Sequence, residues 1–172
     1  LATATLRYGR ADEAPPRRKR LPLAPLVAEV AASALPEGTK VAFENLVPPD
    51  LEVDADPDQL FRLLLNLVRN AREALEAMPD TALSLGRLIQ VEGRRRGDAV
   101  HILIRDNGPG VPEHLRERLF QPFGGSAAPG GTGLGLAIAR EMARAHGGDV
   151  TLVASDETGT RLRIVIPDRK DE

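Results

Sequence analysis

The sequence predicts an α/β (α+β) two-layer sandwich, a mixed β-sheet covered on one face by about three helices. Amphipathic helical segments are interspersed with short strands, several of which are joined by hairpin-like turns. The 172 residues, 42% of them hydrophobic, suffice for one well-buried domain. The net charge of −2 disfavours nucleic-acid binding, and the absence of cysteine rules out disulfides. No apolar run reaches the length of a transmembrane helix.

The first third of the chain is expected to begin with a linker. Residues 1–13 look like the tail of a helix, too short to be stable alone. Residues 14–25 carry four prolines and the basic run Arg17–Arg20, so we interpret them as a solvated linker. A helix is predicted over residues 26–35 because Pro36-Glu37-Gly38 follows it, and the segments VAFENL and LEVDAD are predicted strands.

The central helix is predicted over residues 58–78. Asp56-Pro57 supplies an N-cap and a first-turn proline, and Pro79 follows the helix. At about 100° per residue, one face is apolar; it comprises Leu60, Leu64, Ala71, Leu75 and Met78.

Two asparagines, Asn66 and Asn70, stand one turn apart on the polar face of this helix. Periodicity alone describes them as ordinary surface residues. Asparagine is a poor helix former, however, so two of them together carry a cost that lysine or glutamate would avoid. Their amide oxygens could instead hold a hard cation that keeps most of its waters, as Mg²⁺ does.

The next two strands are predicted near residues 87–95 and 99–106, with a turn at Arg96-Gly97-Asp98. Asp106 leaves the second strand directly into a tight turn, where a carboxylate can accept a hydrogen bond from a ligand amino group. Gly108 and Gly110 allow positive φ and the close approach of a flat ligand. Taken alone, this segment is also an ordinary turn.

A glycine-rich run, GGTGLGLAIAR, opens the last helix at residue 130. A helix start offers free N–H groups and a positive dipole end to phosphate. The run lacks the lysine of a P-loop and does not fit the dinucleotide fingerprint. The helix is expected to end at His146-Gly147-Gly148, where a cationic histidine would complement the dipole. The strands DVTLVA and RLRIVIP, joined by a turn at Asp156–Gly159, close the fold.

Together and in this order, these segments resemble the nucleotide-binding domain shared by sensor histidine kinases and the gyrase, Hsp90 and MutL ATPases. NLVRNAREAL looks like the N box, DNGPGV the G1 box, LFQPF the F box and GGTGLGLAIAR the G2 box. The resemblance covers roughly residues 21–167 and implies a Bergerat-type ATP-binding fold. It suggests four parts: the end of a dimerisation and phosphoacceptor helix at 1–13, the linker at 14–25, a catalytic domain at 26–168 with a lid at 111–131, and a tail at 169–172.

The resemblance implies a site for ATP and Mg²⁺. Asn70 would ligate Mg²⁺ through its side-chain oxygen, and Asn66 would support the network around metal and phosphates. The phosphates would meet backbone N–H groups of Gly131, Thr132, Gly133, Leu134, Gly135 and Leu136.

The resemblance also implies an adenine subsite. Asp106 would accept from the adenine amino group, with Thr160 assisting it. Gly108 and Gly110 would let the turn approach the base. Phe120 and Phe123 match the F box, which packs the lid.

Asn66 also bears on the type of reaction. The splitting ATPases of the superfamily carry glutamate at this position to activate water, and an amide cannot take a proton from water at neutral pH. The resemblance therefore favours a histidine kinase that donates the ATP γ-phosphoryl group to a histidine on a separate helical domain. NAREAL followed by Met78-Pro79 looks most like the nitrogen-regulation group of sensor kinases.

The implied partners are the histidine-bearing dimerisation domain of the same protein and a response-regulator receiver domain, and no nucleic acid is expected. The full-length protein is expected to be a homodimer and the isolated chain a monomer. A cytoplasmic location is expected, with a membrane anchor of the full-length protein left open. His101, His114 and His146 lack the setting of a phosphoacceptor, so the phosphoacceptor is expected outside this chain.

Two departures from the family pattern keep alternatives open. Glu73 stands where many histidine kinases carry lysine, and the lid sequence GGSAAPGG lacks both lysine and the usual hydroxyl pattern. Arginines that could contact the phosphates are Arg69, Arg72, Arg116 and Arg118. One alternative is a nucleotide-binding pseudokinase that only docks a partner. An anti-sigma-type serine kinase and a self-sufficient gyrase-class ATPase are others, the former disfavoured by residues 1–25 and the latter by Asn66.

Overall fold

The computed structural model describes residues 14–82, 85–122 and 135–170, which form a mixed β-sheet with helices packed on one face. The strands are β1 (Lys19–Pro22), β2 (Val41–Asn45), β3 (Glu52–Ala55), β4 (Arg87–Arg96), β5 (Ala99–Asp106), β6 (Asp149–Asp156) and β7 (Gly159–Pro167). The helices are α1 (Leu23–Ala34), α2 (Pro57–Glu76), α3 (Glu113–Arg116) and α4 (Gly135–Ala145), with a 3-10 turn at Asp80–Ala82.

The main sheet has five strands in the order β2-β4-β5-β7-β6. β2 pairs with β4 in parallel, and the other neighbours are antiparallel. Alternate residues of the sheet point toward the helices, so Ile89, Ile102 and Ile164 are fully buried against them. The predicted mixed sheet with three main helices on one face is therefore confirmed. No described helix is both long and apolar enough to cross a bilayer.

The central helix α2 begins as predicted. The Asp56 side chain caps it, since Oδ1 accepts from the backbone N–H groups of Asp58 at 3.0 Å and Gln59 at 3.1 Å. Its buried face is wider than predicted: besides Leu60, Leu64, Ala71 and Leu75, it includes Leu63, Leu67 and Val68. Met78 is only half-buried and lies beyond the end of the helix at Glu76.

The second half of the predicted linker is folded. β1 pairs antiparallel with β3, which places Lys19 opposite Ala55 and Pro22 opposite Glu52 in a small two-stranded sheet. Helix α1 starts directly after β1, at Leu23 rather than at residue 26. A proline-rich, basic composition could not reveal this pairing, because the partner strand lies more than thirty residues further along the chain.

Arg18 corrects the interpretation of the basic run as solvated. Its side chain is only 12% exposed, and it lies 3.7 Å from the Asp54 carboxylate. The guanidinium also donates to the backbone oxygens of Asp54, His146 and Pro167. Arg18 therefore joins the entering chain to β3, to the end of α4 and to the end of β7.

His146 is a neutral core residue rather than the expected surface cation. It is 2% exposed, and its Nε2 accepts from the Asp56 N–H at 3.1 Å. Nδ1 must then carry the proton that bonds the Met142 oxygen at 2.8 Å. Burial lowers the pKa of His146, and the charge of Arg18 lowers it further, although the Met142 bond opposes this. The expectation of a charged histidine at the helix end was wrong for this reason.

Candidate functional site

The candidate site lies where α2, the loop after β5 and the start of α4 meet. Gly135 begins α4 beside α2: a Cβ placed on it would lie 3.8 Å from Asn66 Cβ and 3.9 Å from Asn66 Oδ1. Asn66 and Asn70 are both half-buried and one turn apart, so their amides lie on the same side of α2. The N-box segment and the start of the last helix are therefore neighbours, as the resemblance implied.

The loop after β5 lies against the other end of α2. A Cβ placed on Gly108 would be 3.4 Å from Leu75 Cδ2. Asp106, which ends β5 beside this loop, is paired across the sheet with Thr160 of β7. Asp106, Gly108 and Thr160 therefore form one end of the candidate site, and Asn66 and Gly135 form the other.

The Asp106 side chain is half-buried, and no charged group contributes to the shift of its pKa. Its Oδ1 accepts from the Gly108 N–H at 2.9 Å. Burial raises the pKa of Asp106 to about 6, although hydrogen bonds from the backbones of Gly108 and Thr160 oppose the rise. Because the charge of this carboxylate is poorly compensated, a ligand that donates a hydrogen bond to it would stabilise its ionised form.

Both glycines of the DNGPG turn are required by geometry. Gly110 has φ +81°, and a Cβ there would overlap the carbonyl oxygen of Asp156. A Cβ on Gly108 would come within 2.9 Å of Asp106 Oδ1. Side chains at either position would push the turn off β6 or displace the carboxylate, so glycine is required here by contacts within the domain. The approach of these glycines to a flat ligand stays a prediction.

Two residues that support the turn were missed by sequence reasoning. Asn107 Oδ1 accepts from Leu88 N–H at 2.8 Å, and its Nδ2 donates to the Gly86 oxygen at 2.8 Å. Ser155 Oγ accepts from the Val111 N–H at 2.6 Å and lies 3.4 Å from Thr160 Oγ1. Asn107 stands inside the motif and could have been suspected from the habit of asparagine to bond nearby backbone, whereas Ser155 gave no signal.

The phosphate-facing part of the prediction lies mostly outside the described residues. This applies to Gly131, Thr132, Gly133, Leu134 and Phe123, and to the lid from residue 123 onward. Within the described part, Leu136 is buried in the core and Phe120 is half-buried, with the Arg140 guanidinium 5.1 Å from its ring centre. The F-box phenylalanine therefore packs beside α4.

Two of the four candidate arginines have structural partners. Arg72 donates to the Ala34 oxygen at 2.6 Å and lies 3.0 Å from the Glu76 carboxylate. Arg116 donates to the oxygens of Val111 at 3.1 Å and Ser155 at 3.0 Å. Arg116 thus ties the beginning of the predicted lid to β6. Arg69, Arg118 and Glu73 are exposed.

The arrangement of a mixed sheet, a helix with paired asparagines, a half-buried aspartate before a glycine turn, and a glycine-started helix defines a nucleotide-binding α/β sandwich domain. The family model described as "Histidine kinase-, DNA gyrase B-, and HSP90-like ATPase" matches residues 55–170. The chain belongs to this family of ATP-binding domains, and within it to the type found in sensor histidine kinases.

The relatives agree on this type. The chain is 36% identical over 151 residues to the sensory histidine kinase/phosphatase NtrB of Klebsiella oxytoca, covering 84% of the chain and 41% of that protein. It is 37% identical over 128 residues to the nitrogen regulation protein NtrY of Azorhizobium caulinodans, covering 74% of the chain and 16% of that protein. The chain therefore spans less than half the length of these curated relatives.

Solved structures give the same result. The catalytic domain of the histidine kinase ThkA superposes with a TM-score of 0.73 at 28% identity, over 88% of this chain and 96% of that one. A mycobacterial sensor histidine kinase, MprB, gives 0.71 at 27% identity, over 89% of this chain and 100% of that one. These comparisons confirm the predicted family, fold and kinase class.

Proposed function

We propose that this domain binds Mg²⁺-ATP and donates its γ-phosphoryl group to a histidine of a separate helical dimerisation domain. The proposal rests on the positions of the two ends of the candidate site, the Asp106 end and the Asn66 end, along α2. Leu75 adjoins the turn beside Asp106, and Asn66 adjoins the start of α4 at Gly135. Nine residues of helix separate them by roughly 13 Å, comparable to the length of a nucleoside triphosphate.

The end at Asp106 suits adenine. The carboxylate is half-buried, accepts hydrogen bonds from backbone groups only and has a raised pKa, so an exocyclic amino group donating to it would be strongly preferred over a carbonyl at the same place. The glycine turn leaves room for a planar base. Thr160 supports this end from the neighbouring strand, with its hydroxyl beside Ser155.

The end at Asn66 suits the phosphates and their metal. Among the described residues, no group of three or more His, Cys, Asp or Glu could hold a metal ion. An amide oxygen such as that of Asn70 fits an ion that takes its other ligands from water and phosphate, which is the habit of Mg²⁺. When bound, the ion supplies charge neutralisation of the phosphates. Asn70 would hold it, and backbone N–H groups from Gly131 to Leu136 would hold the phosphates.

The residues also support transfer to another domain rather than hydrolysis. Asn66 offers no proton acceptor for a water molecule at neutral pH. The domain would contribute positioning and charge stabilisation, while the nucleophile comes from elsewhere. The named relatives are sensor kinases, which supports a histidine-bearing domain of the same protein and a response-regulator receiver domain as partners, with a homodimeric full-length protein.

The test is phosphorylation of the histidine-bearing domain of the same protein by this chain and labelled Mg²⁺-ATP. We expect label on histidine, and its loss with Asn70→Ala or Asp106→Asn. The matched control is Asp50→Asn, since Asp50 is exposed and remote from the site. ATP binding without transfer would instead establish the pseudokinase. Unchanged ATP affinity in both site variants, measured by calorimetry, would refute the site itself.

A further inference from the structure

The face of the main sheet opposite the helices is strongly basic. Alternation along the strands places the side chains of five arginines on this face: Arg94 and Arg96 of β4, Arg105 of β5, and Arg161 and Arg163 of β7. We call these five residues the basic sheet face. The whole chain has a net charge of −2, so this concentration of positive charge is local and opposite in sign to the molecule.

One cross-strand pair brings like charges together on this face, since Arg105 lies directly opposite Arg161. Arg94 lies opposite His101. Like charges directly opposite each other destabilise a sheet, and a merely solvated face would avoid them by alternating sign. The positive surroundings are also visible in His101, because burial first, and then Arg96, Arg163 and Arg94, lower its pKa.

Several arginines elsewhere in the domain pair with carboxylates. Arg95, between two members of the basic sheet face but turned the other way, lies 2.8 Å from Asp168. Arg140 lies 2.9 Å from Asp149, and Arg87 lies 3.0 Å from Asp80. Within residues 14–82, 85–122 and 135–170, the five arginines of the basic sheet face have no carboxylate within ion-pair distance.

The arginines line two adjoining depressions. One, of about 340 Å³, includes Arg94, His101, Leu103 and Arg163 in its wall. The other, of about 320 Å³, includes Leu88 and Gln90. Arg105 and Arg161 line both, so the two form a continuous groove across β4, β5 and β7. Arginines outnumber the carboxylates of its walls, which are Glu92 in the first depression and Asp106 and Asp156 in the second, and Leu88 and Leu103 add apolar surface.

We propose that the basic sheet face docks a protein segment that presents several carboxylates. The guanidinium group matches a carboxylate as a two-pronged donor, and paired arginines on adjacent strands would hold successive acidic residues. Leu88 and Leu103 would pack apolar side chains between them. Asp106 and Thr160 also line the second depression, so this surface adjoins the proposed adenine subsite, whereas Asn70 and Gly135 line neither depression. The inference rests on the arginines and does not depend on the proposed phosphotransfer.

Other anionic partners fit less well. The lining of the two depressions contains no aromatic side chain on which a nucleic-acid base could stack. None of the described large hydrophobic residues that are exposed, Leu46, Leu85 and Val153, lines the groove, which leaves it without an anchor for a lipid surface. A carboxylate-bearing protein segment uses both the arginines and the small apolar strip.

The test uses a fluorescently labelled glutamate- and leucine-containing peptide, with the whole chain as the receptor. We expect salt-sensitive binding that perturbs the NMR signals of β5 and β7 and raises the pKa of His101, since bound carboxylates offset the arginine charges. Replacing Arg94, Arg161 and Arg163 together by glutamine should weaken binding at least about tenfold. Thermal melting checks that the triple variant is folded. If it is not, peptide binding is measured with single glutamine replacements of Arg94 and Arg163.

The matched control replaces Arg17, Lys19 and Lys170 by glutamine, which removes the same charge from exposed positions away from this face. Equal peptide affinity in the two triple variants would overturn the proposal, because binding would then follow net charge alone. Tighter binding of single-stranded DNA or phosphatidylserine vesicles to the same face would also overturn it, since the partner class would be wrong. An unmoved His101 pKa on peptide binding would contradict the location.

Discussion

Two aspartates of this domain, the buried Asp54 in β3 and the half-buried Asp106 at the end of β5, have opposite electrostatic surroundings. Burial disfavours the charge of Asp54, but hydrogen bonds from Arg169 at 2.8 and 3.0 Å and the charge of Arg18 outweigh it, and the pKa of Asp54 is lowered. Asp106 accepts backbone hydrogen bonds only, and burial raises its pKa to about 6. The fold thus supplies cations to one carboxylate and none to the other, and the second is the one proposed to bind adenine.

The largest expected effect concerns the completed carboxylate. Asp54→Ala leaves the buried Arg18 without its charge partner, so the free energy of unfolding should fall by about 3 kcal/mol. Urea denaturation measures this. Asp50→Ala, at an exposed position, is the control and should change stability little. A loss at Asp54 no larger than at Asp50 would show that Arg18 is satisfied by backbone oxygens alone.

In the nucleotide-free protein, Asp106→Asn should raise the free energy of unfolding, whereas Asp54→Ala lowers it. The folded pKa, about 6, is above the ordinary aspartate pKa of 3.8, so the folded state prefers the protonated form. The stability that protonated Asp106 contributes is fully present below its ordinary pKa of 3.8. It is lost as the pH rises through the folded pKa of about 6. Asparagine avoids the loss and should stabilise the domain by about 2–3 kcal/mol at pH 8. Thermal unfolding of the unsubstituted protein and of Asp106→Asn at pH 4 and pH 8 measures this effect. An equal effect of the substitution at both pH values would contradict the raised pKa of Asp106.

The same carboxylate should make ATP affinity depend on pH. An adenine amino group donates to the ionised form, so the dissociation constant should rise as the pH falls below about 6, by at most about tenfold per unit. Calorimetry across this range measures it. The nucleotide titrates too, so Asp106→Asn provides the baseline, with weaker binding by about 1–3 kcal/mol at neutral pH. Parallel curves for both proteins would remove Asp106 from the adenine subsite.

The smallest expected effect comes from alanine substitutions at two glycines. It distinguishes the cost of an unfavourable backbone conformation from the cost of a steric clash. Gly97 and Gly110 both have positive φ, at +64° and +81°, but only a Cβ on Gly110 meets neighbouring atoms. Gly97→Ala should cost about 1 kcal/mol of stability from conformation alone. Gly110→Ala should cost at least about 1 kcal/mol more and also weaken ATP binding, because the turn beside Asp106 must move. Equal costs in chemical denaturation would show that the turn yields easily.

Local signals predicted much of this molecule. The cap at Asp56, the stop at Pro79 and the alternation of β5 and β7 act within a few residues, so the sequence contains them directly. Asn66, Asn70 and Asp106 were found because the order of several short motifs resembles a family. Neither periodicity nor composition alone separated these residues from ordinary surface and turn positions.

What escaped prediction depends on contacts between distant parts of the chain. Arg18 reaches His146 across 128 positions, and Ser155 receives the Val111 N–H across 44. The neutral state of His146 follows from its burial and from the backbone N–H of Asp56, 90 positions away, which donates to Nε2. Such pairings are decided by how the sheets and helices assemble, and no local pattern reports them.

Helix α4 connects two places that matter for different reasons. Its first residue, Gly135, adjoins Asn66, and the chain just after its last turn is held at the His146 oxygen by Arg18. Eleven residues of helix make a stiff rod of about 16 Å between them. The entering N-terminal segment and the candidate phosphate end are therefore joined by a single rigid helix and not by a loop.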